Sequence, residues 1–509
     1  MASGLSITIP APTGGWNAKD PLDIMPENDA VSLVNIFPET GTCTFRSGFR
    51  EHADSMGTDE IQTLAQFVKA DGTKYLLAGA NGNIYNASTY GGAGASLGSG
   101  FTSNKWQTTN FRASGATYIV FTNGFDQPKK WDGTTFNDAT YTHANLADDA
   151  FLIQAWPFKN HMYVLEKEKA KIYFVTTVDA VQGALTEFEV GPILRRGGGL
   201  LWGATWSRDS GGGLEELMVL CSDQGEILVY AGDNPSASNW GLVGRYYLPT
   251  PIGRRSWFNL DADLVVLTVN GAIPLSRVLG GTDMQQVYTS VTDKIQNAFN
   301  SAARDYSSNF GWEGAVYARG HYLLLNIPIV DGGRTEQYVM NTYTGAWCRF
   351  TGQNASTWCI FNSKLYFGGM DGKIYEADYG TNDNDQPTEV ALKTAFSYCG
   401  DRSVKKRFLM VRPTITGSDG LEFLIDVDTD FSNKTLTGTA STVGSVASPW
   451  NDSPWNTTGW SAGSELQTLT WYGVTGIGRN VSVRLEGDFQ DVRFSVSAFH
   501  LTFQPGNYL

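Results

Sequence analysis

The chain has 509 residues, which is long for one ordinary hydrophobic core and fits several domains or one large repeat architecture. Glycine occurs 57 times, aromatic residues make up 13% and charged residues only 17%, a profile typical of a β-rich protein with many turns. The formal net charge of −14 argues against a classical nucleic-acid-binding protein with a basic stripe, but not against a passage whose negative wall keeps nucleic acid from sticking.

The first segment, residues 1–57, differs in composition from the rest of the chain. Five prolines interrupt any regular element there: Pro10, Pro12, Pro21, Pro26 and Pro38. We therefore predict an extended arm with short turns, in which residues 29–38 form one strand. The beginning of the sequence lacks the basic and apolar regions of a signal peptide, and no apolar run approaches the roughly 20 residues of a membrane helix, so neither is expected.

A recurring phrase follows the arm. It consists of an apolar run, a turn with an Asn-Gly or similar Gly-containing step, and a second strand that often begins Gly-x-Ile-Tyr. Clear copies occupy residues 75–85, 217–230, 264–273 and 365–375. Each copy predicts a tight hairpin, because Gly and Asn supply the positive φ that such turns need.

The repeats predict a β-propeller over residues 58–400. Further hairpins are predicted over residues 117–136, 161–175 and 322–340. Equivalent phrases recur about every 40 to 60 residues, the spacing of four-stranded propeller blades. The predicted fold class is therefore all-β, with a β-propeller of about seven blades that need not be regular.

One segment near residues 283–306 breaks the β rhythm. Five apolar residues there fall on one helical face: Val287, Val291, Ile295, Phe299 and Ala302. Ser290 with Asp293 three residues later resembles a capping box. We predict one inserted helix, which packs on its own blade or is offered to a neighbouring subunit.

Residues 401–509 form a third region with strictly alternating segments. Strands are predicted over residues 407–412, 421–427, 481–486 and 492–503. This pattern predicts a C-terminal antiparallel β-sandwich of about 100 residues. A loop over residues 443–460 contains Trp450, Trp455 and Trp460, which form a contact surface or fold onto their own sheet.

The motifs of common catalytic and metal sites do not occur in the sequence. It has no phosphate-binding loop, no zinc-protease helix motif and no nucleophile elbow. The acidic run of residues 426–430 lacks the Gly and Glu of a calcium loop, and the five cysteines are scattered. We therefore predict no catalytic residue, no cofactor and no metal. Short basic clusters at residues 195–196, 254–255 and 405–407 are solvated loops or contacts with acidic groups or phosphates.

The arm carries an ordered series of residues. It reads Gly14-Gly-Trp-Asn17, Asp20-Pro21, Met25-Pro26, Ala30-Val31, Asn35-Ile-Phe-Pro38 and Arg46-Ser-Gly-Phe49. This series resembles the opening of the tail nozzle, or packaged-DNA-stabilising, proteins of short-tailed double-stranded DNA bacteriophages. Pro274-Leu-Ser276 and Thr292-Asp-Lys-Ile295 are similar to the same group.

The resemblance implies a propeller body with added β domains, assembled as a homo-oligomeric, hexameric ring below the portal and adaptor rings. Such a protein is a non-enzymatic part of the virion tail, made in the host cytoplasm. Its partners are the portal-adaptor (connector) proteins, tail fibre or needle proteins, and the viral double-stranded DNA that passes through the ring. Six arm residues are expected to make assembly contacts: Trp16, Asn17, Phe37, Pro38, Arg46 and Phe49.

Two other functional classes stay open, because a propeller fold does not fix function. A carbohydrate-active propeller enzyme or lectin should carry clustered carboxylates and aromatic residues at the central mouth. A receptor-binding tail-fibre protein should form a trimer instead of a six-fold ring. The rotational symmetry of the assembly distinguishes these classes.

Overall fold

The computed structural model describes residues 4–92, 94–113, 115–209, 214–279, 290–417, 421–434, 440–443, 466–467 and 470–506. Residues 283–289 of the predicted helix lie outside the described residues. The predicted loop tryptophans Trp450, Trp455 and Trp460 also lie outside them.

The arm contains six short strands, and all of them belong to larger sheets. These strands are β1 (Leu5–Pro10), β2 (Gly15–Trp16), β3 (Asp29–Val34), β4 (Ile36–Pro38), β5 (Cys43–Phe45) and β6 (Phe49–Ala53). The single strand predicted over residues 29–38 is therefore two strands. Asn35 separates them, because its φ of 56° lies in the left-handed region that interrupts a strand.

The strands that follow form seven blades in the described residues. Blade one contains β7 (Thr63–Val68), β8 (Lys74–Ala80), β9 (Asn83–Asn86) and β10 (Ala95–Ser99). Blade two contains β11 (Gln107–Ala113), β12 (Ala116–Thr122), β13 (Lys129–Trp131) and β14 (Phe136–Asp138). Blade three contains β15 (Tyr141–Thr142), β16 (Leu152–Phe158), β17 (His161–Glu166), β18 (Lys171–Val175) and β19 (Gly183–Glu189).

Blade four contains β20 (Leu200–Asp209), β21 (Leu214–Ser222), β22 (Glu226–Ala231) and β23 (Gly241–Tyr247). Blade five contains β24 (Trp257–Leu260), β25 (Asp263–Thr268) and β26 (Gly271–Pro274). Blade six contains β27 (Glu313–Tyr317), β28 (Tyr322–Pro328), β29 (Thr335–Asn341) and β30 (Trp347–Phe350). Blade seven contains β31 (Ala355–Phe361), β32 (Lys364–Gly369), β33 (Ile374–Ala377) and the arm strand β6.

Each of the four copies of the repeated phrase marks the same place in its blade, the hairpin between the second and third strands as counted from the innermost strand. Between β8 and β9, Asn81 and Gly82 have φ values of 48° and 67°, as a primed turn requires. Ile84, in the strand after that turn, is fully buried. The predicted all-β propeller is therefore confirmed.

The arm closes the propeller. Strand β6 pairs antiparallel with β33, so that Glu51 lies opposite Tyr375 and Phe49 lies opposite Ala377. Blade seven also contacts blade one through β31 and β7. Because β6 comes from the arm that precedes blade one and covers the outer edge of β33 in blade seven, residues 49–53 of the predicted arm are a structural part of the ring.

Helical structure is concentrated between blades five and six. It consists of α1 (Leu275–Leu279), a 3-10 turn (Asp293–Ile295) and α2 (Gln296–Tyr306); a second 3-10 turn (Asp149–Phe151) lies in blade three. The apolar face of α2 packs on its own propeller, where the Phe299 ring meets Trp312 edge-on at 5.8 Å. The predicted capping box does not form, because the Ser290 hydroxyl bonds Thr292 at 3.1 Å. None of the described helices is long and apolar enough to cross a membrane.

The C-terminal region is a sandwich of two antiparallel sheets, as predicted. Its strands are β34 (Thr388–Thr394), β35 (Lys406–Gly417), β36 (Leu421–Thr429), β37 (Ala440–Val443), β38 (Leu466–Gln467), β39 (Tyr472–Gly478), β40 (Val481–Phe489) and β41 (Phe494–Pro505). One sheet combines β35, β38, β39 and β41 with the arm strands β1, β4 and β5. The other combines β34, β36, β37 and β40 with the arm strand β3. The arm therefore completes both sheets of the sandwich.

Blade six and the second sandwich sheet form one continuous ten-stranded sheet. The two-residue strand β2 joins them, because Gly15 pairs in parallel with both Trp347 and Asp29. Gly15 has φ +84°, and a Cβ there would lie 2.5 Å from the Trp347 carbonyl oxygen, so only glycine fits. The propeller and the sandwich accordingly share one hydrophobic core.

Candidate functional site

The six arm residues predicted to make assembly contacts lie against blades six and seven or the adjoining segments of the same chain. They are Trp16, Asn17, Phe37, Pro38, Arg46 and Phe49. The Trp16 ring meets Tyr338 edge-on at 5.1 Å, and the Phe37 ring meets Tyr322 at 5.9 Å. The Phe49 ring lies edge-on to Phe367 at 5.2 Å, inside blade seven.

Arg46 is the polar centre of this joint. Its guanidinium donates two parallel bonds to Asp383, at 2.9 and 2.6 Å, and the two side chains are 1% and 8% exposed. It also donates to the Asn35 side chain at 2.8 Å and to the carbonyl groups of Ser47 and Thr351 at 2.9 and 2.8 Å. The bonds connect the arm to the end of blade six and to the segment that leads into the sandwich. A bidentate pair of this kind fixes orientation as well as distance.

Asn17 holds Asp29, the carboxylate that links the beginning of the arm to the region before α2. Its side-chain amide donates to Asp29 at 2.8 Å and to Asp20 at 2.9 Å. Asp29 in turn accepts a bond from Lys294 at 2.6 Å, and Lys19 pairs with Asp293 at 2.7 Å. The arm is thus tied to the helical insertion through one nearly buried carboxylate.

These six side chains find partners within the same subunit, and their contacts with another subunit stay a prediction. The pairing within the subunit has a physical reason. Prolines exclude long regular elements, but they leave room for strands of two to six residues, and those strands pair with distant parts of the chain. The contacts of these six residues connect the propeller to the sandwich, and we call this set of residues the arm joint.

A second site lies at the propeller axis, where Arg255 precedes the inner strand of blade five. Its guanidinium donates to the carbonyl groups of Trp106 at 2.8 Å and Gln62 at 3.0 Å, and to the Thr63 hydroxyl at 3.1 Å. These partners belong to blades one and two, across the ring from blade five. The Arg255 side chain, 15% exposed, therefore crosses the axis. In the sequence, this basic pair is compatible with a solvated loop and with a contact.

Glu313, at the start of the inner strand of blade six, lies 3.6 Å from the Arg255 guanidinium. Its carboxylate also accepts bonds from the Trp358 backbone N–H and the Thr357 hydroxyl of blade seven. Burial raises the pKa of Glu313 to about 7, and this effect outweighs the attraction of Arg255. Such a pKa suits proton transfer, but the partners of this carboxylate are all protein groups that hold neighbouring blades together.

The other basic clusters also bind groups of the same chain. The backbone N–H groups of Arg195 and Arg196 donate to the buried carboxylate of Glu226 at 2.9 to 3.1 Å. The ammonium group of Lys406 donates to three backbone carbonyls, at 2.5 to 3.2 Å. Because these contacts satisfy buried polar groups, they are structural.

The acidic run of residues 426–430 is hydrogen-bonded to groups of the same chain. Asp428 accepts a bond from the Lys393 ammonium group at 2.6 Å, and Asp430 accepts one from the backbone N–H of Arg479 at 2.7 Å. Within the residues that the structure describes, no group of three or more His, Cys, Asp or Glu side chains is placed to hold a metal ion.

Comparisons with known proteins identify no family. No protein-family model matches the chain, and no curated protein matches it either. A solved structure of BBS1N in complex with ARL6DN is similar over 67% of this chain and 100% of that chain, with 10% identity and a TM-score of 0.42. YCF48 from Cyanidioschyzon merolae is similar over 65% of this chain and 98% of that chain, with 10% identity and a TM-score of 0.38.

A further similar structure is Raptor from Chaetomium thermophilum, at 10% identity and a TM-score of 0.40. The match covers 65% of this chain but only 29% of that one. All of these similarities are weak. The propeller assignment rests on the seven sheets and their closure by β6.

Proposed function

We propose that this protein is a structural component of a bacteriophage virion, a nozzle of the short-tailed type that retains packaged DNA and conducts it during ejection. In this proposal six copies form a ring below the connector proteins, and fibre or needle proteins bind farther from the head. The protein acts mechanically and carries out no chemical reaction.

The observation that supports the proposal is the location of the residues that carry the family resemblance. The ordered series from Gly14 to Phe49 coincides with the arm joint, where the arm completes blade seven and both sandwich sheets. A match at residues that fix the architecture is more informative than a match at loops, because such residues determine how the domains are fused. The residues that carry the resemblance therefore lie in the segment that connects the propeller to the sandwich.

The contacts of the arm joint also suit a protein that must resist mechanical force. Blade six continues into the sandwich as one ten-stranded sheet, and the Arg46–Asp383 pair spans the same junction. Domains joined by a short flexible linker would move independently. A shared core and a shared sheet make the subunit one body, as a tube wall under DNA pressure requires.

The experiment that tests the proposal compares particles assembled with and without this protein. We expect heads that lack it to package DNA and then lose it, so that the DNA becomes sensitive to added nuclease. Supplying the wild-type protein during assembly should restore protection. The variant Arg46→Ala should fail to restore it, whereas Arg304→Ala, which breaks an exposed pair on α2, should succeed. Nuclease-resistant DNA in particles that lack the protein would contradict the proposal.

A further inference from the structure

A cavity of about 330 Å³ opens at the propeller face where the inner strands begin. The segments that precede β11, β24 and β27 line it, together with the loop that follows β12. Three of its lining residues are basic, Lys105, Arg254 and Arg255, and none is acidic. This bias stands out because acidic residues outnumber basic ones by 51 to 37 in the chain as a whole. The lining therefore favours an anion.

Arg255 is engaged with protein groups, but Arg254 is not paired with a carboxylate. The half-buried Arg254 guanidinium donates one bond, to the Asn123 carbonyl at 3.2 Å. Glu168 attracts it only from beyond ion-pair distance, and burial lowers the pKa of Arg254. A half-buried charge without a carboxylate at ion-pair distance is partly desolvated, and a bound anion would offset that cost.

Lys105 supplies a second cation at the same cavity. Its side chain is exposed, and its ammonium group lies 4.4 Å from the centre of the Phe310 ring, with no ion pair among the described residues. Lys and Arg together are the usual ligands of phosphate, Arg through its fork and Lys as a point charge.

An exposed aromatic ring, that of Phe125, lies at the rim of the cavity. Phe125 is 54% exposed, and its loop is held in place by Asn123, whose side-chain oxygen accepts the N–H groups of Phe125 and Asp126 at 2.9 and 2.8 Å. The Asp126 carboxylate is occupied by the N–H groups of Thr102 and Ser103, at 2.9 to 3.1 Å. The backbone of the loop is therefore fixed. The Lys167 ammonium group lies over the Phe125 ring, 4.8 Å from its centre, so a planar group would stack on the opposite face.

We propose that this cavity binds a nucleoside phosphate, with the phosphate group at Lys105 and Arg254 and the base against Phe125. The volume lies in the range of small-molecule pockets, and a bare inorganic anion would fill only a fraction of it. The same chemistry is offered by a free nucleotide and by the phosphorylated end of a nucleic-acid strand. The inference rests on the cavity alone and does not depend on the proposed function.

Calorimetric titration of the full chain with adenosine 5′-monophosphate tests the proposal. We expect saturable one-site binding, with adenosine and inorganic phosphate each at least about tenfold weaker, since each lacks half of the contacts. Phe125→Ala should weaken the nucleotide and leave the weak binding of inorganic phosphate unchanged. Absence of nucleotide binding, or equal affinity for inorganic phosphate, would overturn the proposal.

Lys105→Met and Arg254→Met should each weaken nucleotide binding by about tenfold or more. Lys74→Met is the matched control, because Lys74 is exposed at the opposite face of the propeller, where the inner strand of blade one ends. Lys105 is also exposed, so its variant should fold normally even if Arg254→Met does not. Equal affinities of Lys105→Met and Lys74→Met would refute the site.

A 5′-phosphorylated trinucleotide distinguishes the two sources of the ligand. Tighter binding than the mononucleotide, lost in Lys105→Met, would support the site with a strand end as its ligand. Weaker binding than the mononucleotide would support the site with a free nucleotide as its ligand. If Lys105→Met binds both the trinucleotide and the mononucleotide as tightly as the wild-type protein does, the site is contradicted.

Discussion

Removing the Arg46 guanidinium should weaken the arm joint and destabilise the subunit. In Arg46→Ala the Asp383 carboxylate, whose side chain is 8% exposed in the wild-type protein, loses both bonds of the bidentate pair. Breaking a buried pair on one side costs about 3 to 5 kcal/mol, because an uncompensated charge remains in the interior. The carbonyl groups of Ser47 and Thr351 and the Asn35 side chain also lose their donor, which adds to the loss.

Urea unfolding, followed by tryptophan fluorescence and by circular dichroism, measures this loss. We expect a decrease in the free energy of unfolding of at least about 3 kcal/mol, together with separate transitions for the propeller and the sandwich. Lys19→Met is the control, because the Lys19–Asp293 pair is about half exposed and should contribute less than about 1 kcal/mol. A loss below about 1 kcal/mol in Arg46→Ala, in one unchanged transition, would refute the role assigned to the arm joint.

Three other predictions follow from the same structure. The pKa of Glu313 is raised to about 7 from the ordinary glutamate value of 4.5. Between these two pH values the folded state binds more protons than the unfolded state. The contribution of Glu313 to stability therefore falls by up to about 3 kcal/mol as the pH rises through that window. Glu313→Gln should abolish this part of the pH dependence of the unfolding free energy, measured by urea titration at pH 5 and pH 8. The same change in unfolding free energy between these two pH values in both proteins would contradict the prediction. Burial raises the pKa of Cys43 to about 12, so this buried thiol should resist Ellman's reagent at pH 8 until urea is added, and rapid labelling at Cys43 in the folded chain would count against its burial. Gly15→Ala should lower the thermal midpoint much more than Gly41→Ala. Both glycines have φ near +85°, but only at Gly15 would an added Cβ lie 2.5 Å from a backbone oxygen. Equal shifts in the two variants would show that this close approach does not matter.

The hairpins could be predicted because their signals are local. A primed turn needs two residues with positive φ, and Asn81-Gly82 supplies them within the sequence of the turn itself. The repetition of such turns then predicts the propeller and its number of blades. The amphipathic helix before blade six is equally local, and its apolar face was recognisable at Phe299 and Ala302.

The arm could not be predicted in the same way, because its partners are distant in sequence. The pairing of Glu51 with Tyr375 joins residues more than 300 positions apart, and no turn connects them. A two-residue strand such as the one at Trp16 carries no periodic pattern. Proline content therefore predicted an extended arm with short turns, whereas tertiary pairing makes its short strands part of larger sheets.

The axial site was missed for a related reason. The pair at residues 254–255 looks like any short basic cluster in the sequence, and its two members have different environments. Arg255 crosses the axis to carbonyl groups of blades one and two, while Arg254 faces the cavity. Only closure of the ring brings these groups together, so no spacing rule in the sequence reports them.

The rotational symmetry of the assembled protein tests the central claim most directly. Electron microscopy of the purified full-length chain, or of particles that contain it, would measure this symmetry. We predict closed rings of six subunits, each with a propeller and a sandwich that stay together as one body. Isolated subunits or three-fold assemblies in the particles would contradict the proposed nozzle.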